Sequence, residues 1–301
     1  GRSRSMAMTL LTDVIACLPG LKCQLAVLAV VTPCVTAAIE FGGRYMMRIL
    51  EHHPRRPMIV DRMVAEIRAY GFPASEFDMW WMHCTWYVIG AQHLLCGLAM
   101  LPALLGGWEP ATARAVACVA TLFECAYDVY DSVVMARRHF VLGNLPGGLA
   151  SLVLIMTHHQ TSLGLVVPMN MYGYLDSPLY LRMVVNLVLA GGSFILITTY
   201  TQLLDVSTRN GMLQMRILNA VLAGITLYTR FVGYFFLARN LLAEVAGNGH
   251  DRLYMVGASA LAAMSIFNLW IVIQSVSRLY KFCAASTSDF QPAAEIKLKE
   301  L

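Results

Sequence analysis

Two adjacent histidines, His158 and His159, stand in IMTHHQTSLG (155–164), a run otherwise apolar enough to lie in lipid. Imidazole works near neutral pH as a base or a nucleophile. The preceding helical run carries Glu124, Asp128 and Asp131, and the spacing i, i+4, i+7 puts all three acids on one helix face. A carboxylate beside an imidazole orients the ring and stabilises its charged form. A shared metal does not follow. Neighbouring helical residues point about 100° apart, and the HExxH spacing that brings two rings to one ion is absent. If the pair acts chemically, one ring faces the reaction while the other holds a wall or an acid. His158 shares its face with Ser151, Thr161 and Ser162, the more polar side, and is the expected reacting ring.

Positioning these groups takes helices that cross a bilayer. The chain is 58% hydrophobic and 13% charged, with mean hydropathy +0.60. Soluble domains are about 45–50% apolar and about 25% charged, so the composition belongs to a multispan helical membrane protein. A net charge of +4 implies no nucleic-acid partner. A helical span needs about 20 mostly apolar residues, and seven stretches qualify: 22–42, 80–105, 113–136, 148–171, 179–203, 215–243 and 252–280. Turn-forming segments such as GGWEPAT, GNLPGG and AGNGHD separate them. The sixth stretch is longer than a bilayer requires, which predicts a tilt or a kink. Residues 9–20 are too few to span and are expected at the interface, and the opening GRSRSMAM is expected to be a foreign leader. The fold expected is therefore all-α, a polytopic membrane protein of about seven transmembrane helices around a polar central cavity. Cys17, Cys23, Cys34, Cys84, Cys96, Cys118, Cys125 and Cys283 form no CxxC pairs and are expected to be free, buried thiols.

Loop charge sets the orientation, because Lys and Arg concentrate on the cytosolic side. The 43–79 loop holds Arg44, Arg48, Arg55, Arg56, Arg62 and Arg68. Arg137, Arg138, Arg209, Arg216, Arg278 and Lys281 fall on the same side. The opposite loops offer little beyond Arg114, Arg182 and Arg252. The N-terminus is thus expected in the lumen or exterior and the C-terminus in the cytosol, with Trp80, Trp81, Trp86 and Trp108 near the interfaces. At about 1.5 Å per residue, His158 and His159 lie about 15 Å deep, and Asp128, on an antiparallel span, lies about 13 Å deep. His93, Glu124, Arg230 and the threonine-rich end of the fifth span, with Tyr200, add to this polar layer. Ionisable groups in hydrocarbon cost upward of about 2.5 kcal/mol each and normally face the bundle interior. The bland alternatives are that His93 is a packed histidine, that Arg230 merely neutralises Glu124 or Asp128, and that Asp131 is solvated and capped by Arg137 or Arg138.

The mid-membrane His-His, an acid in the preceding span and a late Arg-bearing helix resemble the TLC-domain family (TRAM, Lag1 and CLN8 homology). CAYDVYD (125–131) resembles its aromatic-Asp segment, which places Asp128 on the family acid. IMTHHQTSLGL (155–165) resembles its His-His segment and carries that role to His158 and His159. LLDVSTRNGMLQMRIL (203–218) resembles the Glu-x-Ser-Thr stretch of the non-Lag1 branch, with Asp205 in place of Glu. TRFVGYFFLARNLL and FNLWIVIQSVSRLYK resemble the closing helices. The His-Asp-x-x-Asp run of the ceramide-synthase branch is missing, since the region reads LITTYTQLLD. The resemblance covers most of 80–281. It implies residues 1–79 as an N-terminal segment with the first span and a basic loop, 80–281 as a six-helix domain, and 282–301 as a cytosolic tail.

The resemblance implies a lipid acyltransferase, moving a fatty acyl group from acyl-CoA to a lipid amine or hydroxyl. His158, His159 and Asp128 would act catalytically; Glu124, His93, Arg230, Tyr200 and Asp205 would line the substrate site. No tightly bound cofactor and no metal are expected; acyl-CoA is a co-substrate. The competing expectation is a non-catalytic lipid-binding, lipid-transport or lipid-homeostasis protein on the same fold. A retinal photoreceptor is excluded, because Lys22, Lys281, Lys297 and Lys299 are the chain's lysines and none lies at mid-membrane. A proton or ion path through the acid–His layer is a further alternative. The final EIKLKEL places Lys297 and Lys299 as in the K-x-K-x-x retrieval signal, implying the endoplasmic reticulum membrane and coat-protein recognition. Partners expected are the membrane, a lipid or acyl-CoA, and a second copy of the chain as a homodimer.

Overall fold

The structure is a computed structural model that describes residues 18, 20–69, 74–145 and 148–287. Among these residues the chain is helical with no strand. The helices are α1 (Leu21–Ile49), α2 (Arg56–Ala69), α3 (Glu76–Leu105), α4 (Pro110–Arg137), α5 (Gly148–Met171), α6 (Pro178–Thr201), α7 (Arg209–Leu227), α8 (Gly233–Gly247) and α9 (Asp251–Ala284). Local chemistry sets several starts. Ser75, Ser177 and Thr208 each accept a backbone N–H in the first turn of α3, α6 and α7, satisfying a donor the helix cannot. Glu109 does the same for α4, accepting from Ala111 N and Thr112 N ahead of Pro110. Those bonds, the one from the Thr112 backbone first, hold the exposed Glu109 carboxyl below its usual range.

Among the described residues six helical runs are long and apolar enough to cross a membrane: α1, α3, α5, α6, the α7–α8 run Arg209–Gly247, and α9. At 28 residues, α4 is about 42 Å long and reaches as far, but Arg114, Glu124, Asp128, Asp131 and Arg137 lower its hydropathy. It can cross only because its acids turn inward. The chain is an all-α, multi-pass membrane protein. Within the long run where a tilt or a kink was expected, a wide π turn, Tyr228–Val232, separates α7 from α8; such turns occur inside helices at functional positions.

The helices close a ring, in the order α3, α4, α5, α9, α7–α8, α6 and back to α3. The longest interface in it, α3 on α6, depends on small residues. A Cβ on Gly192 would stand 2.8 Å from the Gly90 carbonyl oxygen, and one on Gly97 2.5 Å from Leu189. Helix α1 lies outside the ring against α3 and α4. Helix α2 does not span. Its stripe of Ile59, Val60, Met63, Val64 and Ile67 packs on Met79, Trp80, Met82 and Cys84 of α3, as an amphipathic helix should. Trp80 is therefore buried in protein, which corrects its expected place at the interface, while Trp81 and Trp86 are half-buried and Trp108 is 50% exposed.

The two ends of the bundle differ. At one, Arg55 pairs with Asp205 at 3.6 Å, Arg62 bonds Gln202, Arg278 donates to Thr201 Oγ1 at 2.9 Å, and Arg216 donates to the Phe282 and Ala285 carbonyls. At the other, Arg114 pairs with Asp176 at 2.9 Å and Ser177 bonds Glu244 at 2.7 Å. The cysteine expectation is corrected in part: Cys23 is disulfide-bonded, and Cys34 and Cys283 are exposed, whereas Cys84, Cys96, Cys118 and Cys125 are buried free thiols. The segment expected at the interface over 9–20, save Leu18 and Gly20, and the Lys297/Lys299 tail lie outside the described residues.

Candidate functional site

The ring encloses a cavity of about 610 Å³, within the range of small-molecule pockets. Along α5 its wall runs from Ser151 to Met169, about 27 Å at the helical rise, most of a hydrocarbon core. Toward Met169 the wall is apolar, with Leu165, Leu241, Val245 and Leu253. There Asn170 ties α5 to α4 and α6, donating to Thr121 Oγ1 at 2.9 Å and accepting from the Tyr180 hydroxyl at 3.1 Å. The polar side chains gather further along, where α3, α4, α5 and the π turn face one another.

Helix α4 supplies Asp128 and Asp131, one turn apart on a single face, and α5 inserts His159 between them. His159 Nδ1 is 2.6 Å from Asp128 Oδ1 and its Nε2 is 2.8 Å from Asp131 Oδ2. Each ring nitrogen of His159 therefore faces a carboxylate oxygen, a geometry in which an imidazolium between two carboxylates would donate from both nitrogens. One turn earlier Glu124 bonds His93 Nδ1. Tyr127 lies between the two histidines, edge-on to His93 at 4.8 Å and to His159 at 5.8 Å between centroids.

His158 is placed differently. Its ring stacks on Phe267 of α9 at 4.4 Å and 6°, with Nδ1 3.4 Å from Met264 Sδ. It stands 5.3 Å from the His159 ring. Among the described residues neither a carboxylate nor any other group bonds its Nε2. Asp128 thus orients His159 and not His158, so the ring that holds the acid is the neighbour of the expected reacting ring. The cause is rotational: the two rings point about 100° apart, and α4 lies on the His159 side.

Arg230, in the π turn, reaches into the same cavity. It donates to Asn268 Oδ1 at 3.3 Å and to the Leu187 carbonyl at 3.1 Å. Gly191 leaves room for it, since a Cβ there would stand 3.4 Å from Nη2. Among the described residues it forms no ion pair, so the expectation that it neutralises Glu124 or Asp128 is corrected; their partners are histidines.

His93, Glu124, Asp128, His158, His159 and Arg230 line one cavity. Tyr200 and Asp205 do not, and their assignment to the substrate site is corrected. Tyr200 is 44% exposed at the end of α6. Asp205 lies in the following loop, where the Ser207 hydroxyl and backbone N–H both donate to its Oδ1 and hold its carboxyl below the usual range. Sequence reasoning placed Asp131 near solvent and passed over Tyr127 and Asn268. The i, i+3 spacing of Asp128 and Asp131 was the available signal for the first; an asparagine in the middle of the last span was the signal for the last. Among the described residues no set of three or more His, Cys, Asp or Glu side chains could hold a metal ion. Comparison with family models, curated proteins and solved structures returns no match.

Proposed function

We propose that this protein is a membrane-embedded lipid acyltransferase, as its resemblance to the TLC-domain family implies. One observation carries the reading: among the described residues, an imidazole nitrogen without a protein partner, His158 Nε2, beside a His159 ring clamped by two carboxylates in a long apolar cavity. His159 has both nitrogens committed and serves as a fixed charge. His158 is the group left to move a proton. In the reaction proposed, its Nε2 takes the proton of a lipid amine or hydroxyl as that group attacks the acyl-CoA thioester carbon. The carbonyl oxygen becomes an oxyanion, the carbon–sulfur bond breaks as the carbonyl re-forms, and the thiolate recovers the proton from His158. Arg230 is the cation available to the oxyanion: of five guanidinium N–H donors, two are used by Asn268 and Leu187.

The apolar end of the cavity would hold the acyl chain. We further propose residence in the endoplasmic reticulum with the arginine-rich end cytosolic. The disulfide at Cys23, at the opposite end of α1 from Arg44 and Arg48, supports this, since disulfides persist on the oxidising side. A second reading, a non-catalytic lipid-binding protein, is favoured by the doubly paired His159, which is also what a structural clamp looks like.

The test is acyl-CoA-dependent product formation by purified protein in liposomes. His158→Ala should lose at least about 100-fold in rate, the lower end for a general base, while retaining its bound lipid by mass spectrometry. Unchanged turnover in His158→Ala would remove the enzyme reading and leave the lipid-binding one.

A further inference from the structure

A second pocket, of about 680 Å³, opens at the arginine-rich end between α1, α2, the start of α3 and the end of α4. Five arginines line it: Arg44 and Arg48 from α1, Arg56 from α2, and Arg137 and Arg138 from the end of α4. Glu40, Glu51 and Asp78 also border it, so five positive against three negative charges leave a net of two positive. Among the described residues none of the five guanidiniums forms an ion pair. Arg138 is only 7% exposed, yet its Nη1 is buried without a hydrogen-bond partner, an expensive state for a charged donor. Two arginines are held by ring faces: Arg138 Cζ lies 6.0 Å from the Trp81 ring and Arg56 Cζ 5.7 Å from the Trp80 ring. A guanidinium positioned through its π face keeps its N–H edge for an in-plane acceptor, the geometry that matches phosphate oxygens; Arg56 Nη1 already donates to the Glu51 carbonyl at 3.3 Å, leaving its other N–H groups.

The rim of the pocket is apolar and exposed. Phe77 and Leu142 border it at 64% and 41% exposure, and Phe140 and Val141 follow on the same turn at 74% and 75%. A soluble anion has no use for such a rim, whereas a lipid offers acyl chains to cover it beside a charged headgroup. From these observations we infer that the pocket binds the phosphate of an anionic membrane lipid, separately from the central cavity and whether or not the chain is catalytic. A phosphomonoester headgroup, carrying more negative charge than a diester, suits five guanidiniums best.

The experiment reads binding and not turnover. Full-length protein in phosphatidylcholine nanodiscs with and without phosphatidic acid is released into native mass spectrometry, and retained phosphatidic acid is counted. The wild type should retain phosphatidic acid in preference to phosphatidylcholine. The exposed pair Arg44→Gln/Arg48→Gln, and separately Arg138→Gln, should each lower retention by about tenfold, as loss of a charge-assisted contact implies. A parallel arm adds inorganic phosphate to phosphatidylcholine nanodiscs and follows thermal stability. Equal retention by wild type and the Arg44/Arg48 variant would overturn the site. Stabilisation by inorganic phosphate with no preference for phosphatidic acid would assign the pocket to a soluble phosphate and overturn the lipid.

Discussion

The clamp on His159 can be measured. Its side chain is 4% exposed, those of Asp128 and Asp131 are 8% and 15%, so the three groups meet almost out of contact with solvent. Asp128→Asn keeps the shape and the acceptor oxygen but removes the charge; His159→Gln removes the ring. A double-mutant cycle isolates their interaction from the separate cost of each change. Neutral interhelical hydrogen bonds in membrane proteins average about 0.6 kcal/mol and reach about 1.7. Bonds to charged groups are worth about 1.5–3 kcal/mol. Because Asp131 stays on Nε2 in Asp128→Asn, the imidazolium is not left bare, and the larger penalty of about 3–5 kcal/mol for an uncompensated buried charge does not apply. The expected coupling is therefore about 2 kcal/mol, read from denaturant titration of the four proteins in mixed micelles. Coupling within about 0.5 kcal/mol of additivity would mean there is no working contact. A value between that and about 1.7 would mean a neutral bond, and the ion clamp would be refuted.

Two further outcomes follow from the packing and the π turn. Gly192→Ala should destabilise the protein by about 1–3 kcal/mol and reduce turnover, because its Cβ meets the Gly90 backbone oxygen at 2.8 Å and must push apart two walls of the cavity. Gly164→Ala, with nothing near its Cβ, should be neutral or stabilising when both variants are compared by the same denaturant titration, and equal losses at both sites would discredit the close-approach argument. Arg230→Met/Asn268→Leu replaces a buried polar pair with apolar groups of similar size and should leave stability within about 1 kcal/mol of wild type, or raise it, while acyl transfer is lost. A loss above about 3 kcal/mol would show that the guanidinium is kept for folding.

The spans were legible because the bilayer filters sequence so strictly. The stretch read at 148–171 is α5 to the residue, and 113–136 falls within α4. Length and apolarity suffice where nothing but a helix can satisfy the backbone. Helix α2 escaped the same reading because its amphipathic stripe packs on protein and not on lipid: Ile59 and Ile67 are fully buried beneath an arginine-rich face. Trp80 went with it. An indole at a span end is expected at the interface by composition, and only the presence of α2 above it shows otherwise. Cys23 was out of reach for a similar reason, since spacing within one chain does not say which thiols meet.

Depth was legible in the site; azimuth was not. Counting 1.5 Å per residue from opposite ends of two antiparallel spans puts Asp128 level with the histidines, and the 2.6 Å contact with His159 rests on that register. Which ring receives the acid depends on how α5 is rotated against α4, and one residue of rotation is the difference between His158 and His159. The polar neighbours of His158 marked it as the ring that faces the reaction; Ser151, Thr161 and Ser162 do line the cavity, with Ser162 also reaching Asp128 of α4, but that polarity did not say which ring the acids hold. The two criteria for a reacting histidine, polar surroundings and an adjacent carboxylate, thus belong to different rings. That division has a chemical consequence. A ring with both nitrogens bonded to carboxylates cannot offer a lone pair without breaking one of those bonds, whereas a ring stacked on Phe267 with one nitrogen free can. The pair is adjacent in sequence because a helix sends neighbours to different walls, so that α5 can hold a fixed charge on one side and present an open base on the other at the same depth.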